Sequence, residues 1–259
     1  MFKNTVMRFR EHGFLFSELV KRDFKKKYKS TYLGVVWSLL SPLLTLLVMR
    51  IVFTRFFGQS VPHYTIYLFC GNIVFSFFSD STSSGMSSLL DNSVIFSKIN
   101  VPKYLFLFSK NVSALINFSL TFVVFLIFCA IDGVPLTPCF LLLIFPIACL
   151  IIFNLGIGLI LSALYMFFRD IQYLWGVFTL LLMYLSAIFY SVESYSEPIR
   201  GLFLFNPVFV YIKYFRLAVL EASVPSIQYH LLALGYALAA FLIGAAIYKA
   251  KNHKFLYYV

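Results

Sequence analysis

The feature that most constrains this chain is a cluster of positive charges followed directly by a long apolar run. The run begins at residue 33 and contains no charge before Arg50. The cluster that precedes it consists of Arg22, Lys25, Lys26, Lys27 and Lys29. Anionic lipid at the cytoplasmic face of a bilayer retains cations, whereas an uncharged run partitions into the hydrocarbon. The junction therefore predicts a first membrane span that starts at the cytoplasmic surface and orients every later span.

The composition predicts an all-α polytopic membrane protein whose single domain covers residues 1–259. Hydrophobic residues make up 61% of the chain and charged residues only 12%. A soluble domain of this length needs a polar exterior and does not carry so much apolar surface. The net charge of +11 indicates lipid head groups rather than nucleic acid, because the cations flank apolar runs and no nucleic-acid-binding module accompanies them.

Six apolar runs are long enough to be membrane spans, since crossing ~30 Å of hydrocarbon takes about 20 residues. Five lie within residues 31–190, and the sixth begins the segment 227–259, which ends in a tail. The predicted spans are residues 33–57, 64–90, 104–131, 139–168, 171–190 and 227–248. The second half of span 2 contains the serine-rich stretch 79–88, which we expect to pack against protein or to line an aqueous cavity.

With six spans, both termini lie in the cytoplasm. Most of the 21 Lys and Arg residues then fall on inner segments, as the positive-inside rule requires. The resulting localisation is the cytoplasmic membrane. Neither a GxxxxGK[ST] motif nor another glycine-rich phosphate loop is present, and the four cysteines form no CxxC pair. We therefore expect no cofactor, metal or nucleotide to be bound by this chain.

An amphipathic helix is predicted within residues 1–30, with apolar side chains on one face and cations on the other. Such a helix lies in the membrane interface instead of crossing it. It is either a plain anchor or a collar at the cytoplasmic entrance of a transport path. In the second case its charges suit a phosphate-linked lipid. The predicted entrance residues are Arg22, Lys25, Tyr28 and Lys29.

Residues 191–226 predict a re-entrant pair of half-helices before the last span. Asn206-Pro207 interrupts two short apolar pieces, because proline disfavours a helical conformation at the residue before it. Lys213 and Arg216 share a helix face, and we expect both to point towards water or head groups. Tyr211 and Tyr214 alternate with them and form a rim. The segment is either such an outer gate or a passive external loop.

Four stretches give the chain a resemblance that covers essentially its full length. They are RDFKKKYKSTYLGVVWSLLSPLL at 22–44, FSKINVPKYLF at 96–106, FFRDI at 167–171 and AIFYSVESYSEPIRGLFLFNPV at 187–208. In this order between six spans, they resemble the permease subunits of type-2 ABC exporters. The resemblance is to the branch that exports lipid-linked O-antigen, capsular or teichoic acid polysaccharides.

The resemblance implies a homodimer in the bacterial inner membrane, joined to two cytoplasmic ABC ATPase subunits that bind ATP and Mg²⁺. The chain itself is then a transport subunit and not an enzyme. Residues 91–103 are implied to be the coupling helix that contacts the ATPase, and 196–217 the outer gate helices. The coupling residues implied in this way are Asp91, Phe96, Ser97, Lys98, Pro102 and Lys103.

Two alternative functions remain at this point. A drug or small-lipid exporter of the same family shares the topology and the partner, and neighbouring genes distinguish it from a polysaccharide exporter. An intramembrane acyltransferase or glycosyltransferase is a second alternative. It is disfavoured because none of the four histidines has an acidic partner at HxxxxD spacing.

Overall fold

The computed structural model describes residues 13–28, 34–57, 61–252 and 254–257. Within these ranges the regular structure is helical and no strand occurs. The helices are α1 (Gly13–Tyr28), α2 (Trp37–Phe57), α3 (Tyr64–Asp91), α4 (Ser93–Lys98), α5 (Tyr104–Ile131), α6 (Ile144–Phe167), α7 (Ile171–Leu185), α8 (Glu197–Phe203), α9 (Pro207–Val219) and α10 (Ile227–Lys251). Short 3-10 turns precede α2 and α6 and follow α10.

Helices α3 and α6 form the centre of the bundle. Helix α6 packs between α3 and α10, while α5 and α9 pack against other sides of α3. The contact between α6 and α10 is made by glycines. A Cβ atom added at Gly156 or at Gly244 would lie 2.4 Å from backbone atoms of the facing helix. Small residues of this kind let two membrane helices approach closely.

Among the described residues, four helices are long and apolar enough to cross a membrane, or five if the bent pair α8–α9 is one span, which confirms the all-helical multi-pass class. They are α2, α5, α6 with the turn before it, and α10. The apolar helix α7 has only 15 residues and is about 22 Å long, which is shorter than the ~30 Å hydrocarbon layer. The count of six spans therefore stays a prediction.

The re-entrant pair predicted before the last span corresponds to α8 and α9, whose axes are bent by 107° at the break. The Asn206 side chain caps α9 by accepting hydrogen bonds from the N–H groups of Val208 and Phe209. Pro207 occupies the first turn of α9, where a missing N–H costs nothing. The prediction that Asn206-Pro207 breaks the helix is confirmed.

The bundle has two distinct ends. At one end, α1 packs along α5, and Leu19 of α1 joins a buried cluster with Phe96 of α4 and Phe255 of the tail. We call this the α4 end. At the other end lie α8, α9 and the loop around Asp132, which contacts His63. We call this the α8–α9 end. The position of α1 in a membrane interface stays a prediction.

Candidate functional site

A buried ionic cluster joins three helices at the α4 end. The Asp23 side chain on α1 is only 3% exposed, and its carboxylate lies 2.8 Å from an Arg22 nitrogen. Lys110 on α5 lies 3.6 Å from the same carboxylate and 3.3 Å from that of Asp91, at the end of α3. Lys110 therefore lies between two carboxylates, and its charge is balanced by residues of two other helices.

The same cluster extends to the start of α4 through Asn92. Arg22 donates a 2.8 Å hydrogen bond to Asn92 Oδ1, and the Asn92 amide donates to the Ser88 carbonyl. Asn92 is 1% exposed and immediately precedes α4. A chain of polar contacts therefore connects the amphipathic helix α1 to the base of α4.

Helix α4 is held against the bundle on its inner side by aromatic contacts. The ring of Phe96 is 5% exposed and lies 6.1 Å from that of Phe106. Lys103 Nζ lies 5.5 Å from the Phe96 ring centre and 5.6 Å from that of Phe255, and it donates to the Asn252 carbonyl. Burial lowers the pKa of Lys103. The tail after α10 is thereby attached to the segment that contains α4.

The outer side of α4 presents a mixed surface. Val94 and Ile99 are 63% and 58% exposed, and Ser97 and Lys98 between them are exposed as well. Two exposed β-branched side chains therefore lie beside a serine and a lysine, on a helix whose other side is fixed to the bundle. This is the exposed surface of α4.

A polar groove lies between α2, α3 and α5. It consists of two adjoining cavities of about 540 and 400 Å³ that share Asp80, Ala114 and Asn117 as lining residues. The second cavity reaches the Asp23–Lys110 pair, and the first reaches Asn72 on α3. Serines of the stretch 79–88 contribute to its wall, which agrees with one of the two surroundings that were expected for this stretch.

At the α8–α9 end, an irregular segment after α7 is fixed by side chains instead of backbone pairing. Arg216 donates hydrogen bonds to the carbonyls of Ala187 and Ile188, at 2.9 and 3.0 Å. Tyr64 and Tyr67 donate to the next two carbonyls, those of residues 189 and 190, at 2.7 Å. Four successive carbonyls are therefore satisfied by three side chains of α3 and α9.

An ionic group lies beside these hydrogen-bonded carbonyls. Lys213 Nζ is 2.8 Å from a Glu193 oxygen and 3.3 Å from a Glu221 oxygen. The hydrogen bond from Lys213 holds the pKa of Glu193 below its usual value. Together with Tyr67 and Arg216, these residues line a cavity of about 220 Å³.

Comparison with known proteins identifies the class of molecule to which these arrangements belong. The family described as ABC-2 type transporter matches residues 15–220. The chain belongs to the ABC-2 type transporter family. The match begins in α1 and ends after α9, so it includes the ionic cluster, the groove and the bent helix pair α8–α9.

Curated relatives of this ABC-2 transporter chain are named as export or transport proteins. It is 28% identical to the O-antigen export system permease protein RfbA of Klebsiella pneumoniae, over 94% of this chain and 95% of the relative. It is also 28% identical to the RfbA protein of Myxococcus xanthus, over 94% of each chain. The polysialic acid transport protein KpsM of Escherichia coli is 22% identical over 92% of this chain and 93% of its own.

The predicted entrance residues of the ABC-2 transporter are only partly described. Arg22 is on α1 but directs its guanidinium to Asp23 and Asn92. Lys25 is exposed on the same helix. Lys29 and the Tyr28 side chain lie outside the described part of the chain. A role of these residues as an entrance stays a prediction.

The implied coupling residues differ in their exposure. Ser97 and Lys98 are on the exposed surface of α4. Phe96 faces the bundle interior, while Asp91 contacts Lys110. Lys103 and its neighbour Pro102 are half-buried. Asp91 is exposed as well, whereas Phe96 is accessible to a partner protein only if the permease itself changes.

The expectation that Arg216 points towards water is wrong, and so is the exposed rim of Tyr211 and Tyr214. Arg216 is 4% exposed and both tyrosines are fully buried. The Tyr211 hydroxyl donates to the Ala233 carbonyl, and that of Tyr214 lies 2.8 Å from a His230 nitrogen. The reason is that α9 packs between α3 and α10, where its polar groups find protein partners. Lys213 remains near the surface, with 16% of its side chain exposed.

Neither the Asp23–Lys110 pair nor the amides of the groove were predicted from the sequence. A signal for the first was present, because Lys110 falls inside predicted span 3, and an ionisable residue at membrane depth indicates a functional or paired group. Its partner was not deducible, since Asp23 is 87 positions earlier and on a helix that was assigned to the interface.

Proposed function

We propose that this chain is the permease subunit of an ATP-driven ABC exporter that moves a lipid-linked polysaccharide across the bacterial inner membrane. The observation that carries the proposal is the similarity to O-antigen export permeases over 94% of the chain, which leaves no room for a different domain in the aligned part. The family membership supports a transport role in which ATP and Mg²⁺ are bound by a separate ATPase subunit.

The proposed ATPase contact is the exposed surface of α4. Residues 91–103 lie at the same end of the bundle as α1 and the tail, and Phe96 and Lys103 anchor them from behind. A movement of the ATPase is then transferred to α3 and α5 through Asn92 and Lys110, without bending α4 away from the permease. Both termini, on this proposal, lie in the cytoplasm.

The working unit is proposed to be a homodimer in which two α8–α9 hairpins form the outer gate. Leu202 and Phe205 support a contact of this kind, because their side chains are 65% and 78% exposed at the break between the two half-helices. Phe209, in contrast, is 3% exposed and is unsuited to a contact between protomers. Leu202 and Phe205 are therefore the positions at which inserted cysteines should crosslink two protomers.

At the cytoplasmic entrance, we propose that α1 attracts the phosphate groups of the lipid carrier. The support is the basic character of residues 22–29 and the exposure of Lys25. The Arg22 guanidinium is already engaged by Asp23 and Asn92, so its contribution is to hold α1 in place.

The test is deletion of the gene in the bacterium that carries it, with surface polysaccharide and intracellular lipid-linked polymer measured in parallel. Polymer should disappear from the surface and accumulate inside, and a plasmid copy should restore export only when the ATPase partner is intact. Unchanged surface polymer together with increased drug sensitivity would instead identify a drug exporter and overturn the proposal.

A further inference from the structure

The polar groove between α2, α3 and α5 extends well into the bundle. On α5 it is lined from Lys110 to Thr121, a rise of about 16 Å. On α3 it is lined from Ser84 back to Asn72, and on α2 from Trp37 to Thr45. The groove therefore begins at the Asp23–Lys110 pair, at the α4 end, and reaches towards the middle of α3.

The lining of this groove is unusual for helices of such apolar composition. Amide side chains come from Asn72 and Asn117, and hydroxyl groups from serines and threonines of all three helices. Asn72 is only 5% exposed. A lining of amide and hydroxyl groups matches the hydrogen-bonding groups of a ligand that is rich in hydroxyls.

The charges of the groove determine which ligand fits. Lys110 is the cation among the lining residues that the structure describes, and it lies between Asp23 and Asp91. Asp80 adds a further carboxylate at the junction of the two cavities. A phosphate or pyrophosphate group would meet two carboxylates and a cation that is already paired. The groove therefore disfavours anions and suits an uncharged, polar ligand.

Trp37 adds an aromatic surface, which favours binding of a sugar ring over binding of other polyols. Its side chain lines the larger cavity and is 40% exposed, so one part of the indole is accessible. A pyranose ring has apolar C–H faces and a polar edge. An aromatic ring packs against the former, while amides and carboxylates bind the latter. Trp37, Asn72, Asp80 and Asn117 lie around a single continuous space and provide both kinds of contact.

We infer that the groove between α2, α3 and α5 is a binding site for uncharged pyranose residues of the transported polymer. Asn72, Asp80 and Asn117 bind the sugar hydroxyl groups, and Trp37 packs against the ring. The inference rests on the proposed function for the origin of the sugar, but the binding itself depends only on the groove. The lipid phosphate is excluded from this site by its charge.

The two tryptophans of the chain allow a direct binding test. They are Trp37, in the groove, and Trp175, whose indole N–H has no hydrogen-bond partner and which phenylalanine can replace. In purified Trp175→Phe transporter complex, Trp37 is the sole tryptophan of the permease. If the ATPase contributes tryptophans, they are replaced as well. Methyl glucoside, methyl galactoside, methyl mannoside and N-acetylglucosamine are then titrated separately. At least one should change the fluorescence in a saturable manner.

The variants Asn72→Ala and Asn117→Ala should each weaken this binding about tenfold, the effect of losing one well-formed hydrogen bond. The matched control is Trp37→Phe, which keeps Trp175 as the reporter and should show no response. Glucose 1-phosphate should bind more weakly than the preferred neutral sugar. If no neutral pyranoside gives a saturable response, or if inorganic phosphate produces the same response, the inference is wrong.

Export in cells separates this inference from the proposed function. If the wild-type gene restores surface polymer and an Asn72→Ala/Asn117→Ala double variant does so at the same rate and membrane level, the groove is not the sugar site, although the proposed function stands. If sugar binding is observed but the gene does not affect surface polymer, the site stands and the exported substrate has been assigned wrongly.

Discussion

The Cζ atom of Arg216 lies 3.4 Å from the centre of the Tyr67 ring, and a guanidinium nitrogen donates a 2.8 Å hydrogen bond to the Tyr67 hydroxyl. The same guanidinium binds the carbonyls of Ala187 and Ile188. This contact joins α9 to α3 and to the irregular segment after α7. A planar group with several donors is needed here, because helix pairing does not satisfy these carbonyls.

Replacing this arginine tests whether the contact holds the α8–α9 hairpin. We expect Arg216→Lys to lower the thermal stability of the detergent-solubilised protein, because a single ammonium group cannot bind all these carbonyls. Each buried carbonyl left unpaired costs ~1–3 kcal/mol. The control is Arg200→Lys on α8, whose side chain is 41% exposed and should be nearly neutral. Equal stability of the two variants would contradict a structural role for Arg216.

The close approach of α6 and α10 predicts a strong effect of one methyl group. Gly156→Ala places a Cβ atom 2.4 Å from the backbone of the facing helix, so the helices must separate. We expect a destabilisation of ~1–3 kcal/mol and a loss of monodisperse protein in size-exclusion chromatography. Gly235→Ala is the matched control, since nothing lies within 4 Å of its added Cβ atom on α10. Equal stability of Gly156→Ala and Gly235→Ala would show that α6 and α10 are farther apart.

The buried position of Asp23 predicts that its pair with Lys110 contributes more than an ion pair at the surface. Asp23→Asn leaves Lys110, whose side chain is 13% exposed, with Asp91 as its carboxylate partner among the described residues. Breaking a buried pair costs ~3–5 kcal/mol, whereas an exposed pair contributes ~0–1 kcal/mol. The exposed Glu18–Lys21 pair on the same helix is the control, through Glu18→Gln. Thermal unfolding measures both variants, and equal shifts would argue against the cluster as a structural link.

The two sides of α4 should respond differently to substitution. Val94→Asp with Ile99→Asp changes the exposed surface, and we expect normal membrane insertion but reduced ATPase binding, measured by co-purification of the two subunits. Phe96→Ala instead removes a buried ring, and should lower permease stability by ~3–5 kcal/mol. If the double variant retains full ATPase binding and export, the exposed surface of α4 is not the contact.

Single cysteines test the predicted orientation in a background that lacks the four natural ones. Leu136 is 60% exposed in the turn between α5 and α6, and Ser97 is exposed on α4. In intact cells, or in spheroplasts if an outer membrane is present, Leu136→Cys should react with an impermeant thiol reagent. Ser97→Cys should react only after the membrane is opened. The reverse pattern would place both termini outside the cytoplasm.

The sequence by itself was sufficient to predict the all-helical class and the positions of most helices. The bounds of α5 at 104–131 agree with the predicted span, because an uninterrupted apolar run must be satisfied by its own backbone hydrogen bonds in a membrane. The break at Asn206-Pro207 was equally predictable, since the conformational limits of proline act locally and do not depend on the rest of the fold.

Only the tertiary structure decided which polar side chains are buried and which partners they have. Arg216 was expected to face water, but it is buried against Tyr67, 149 positions earlier in the chain. Asp23 and Lys110 meet through the packing of α1 on α5. Helix periodicity identifies the face on which a residue lies, but not the neighbour that covers that face. Such contacts are created when distant segments pack, so a local pattern in the sequence carries no record of them.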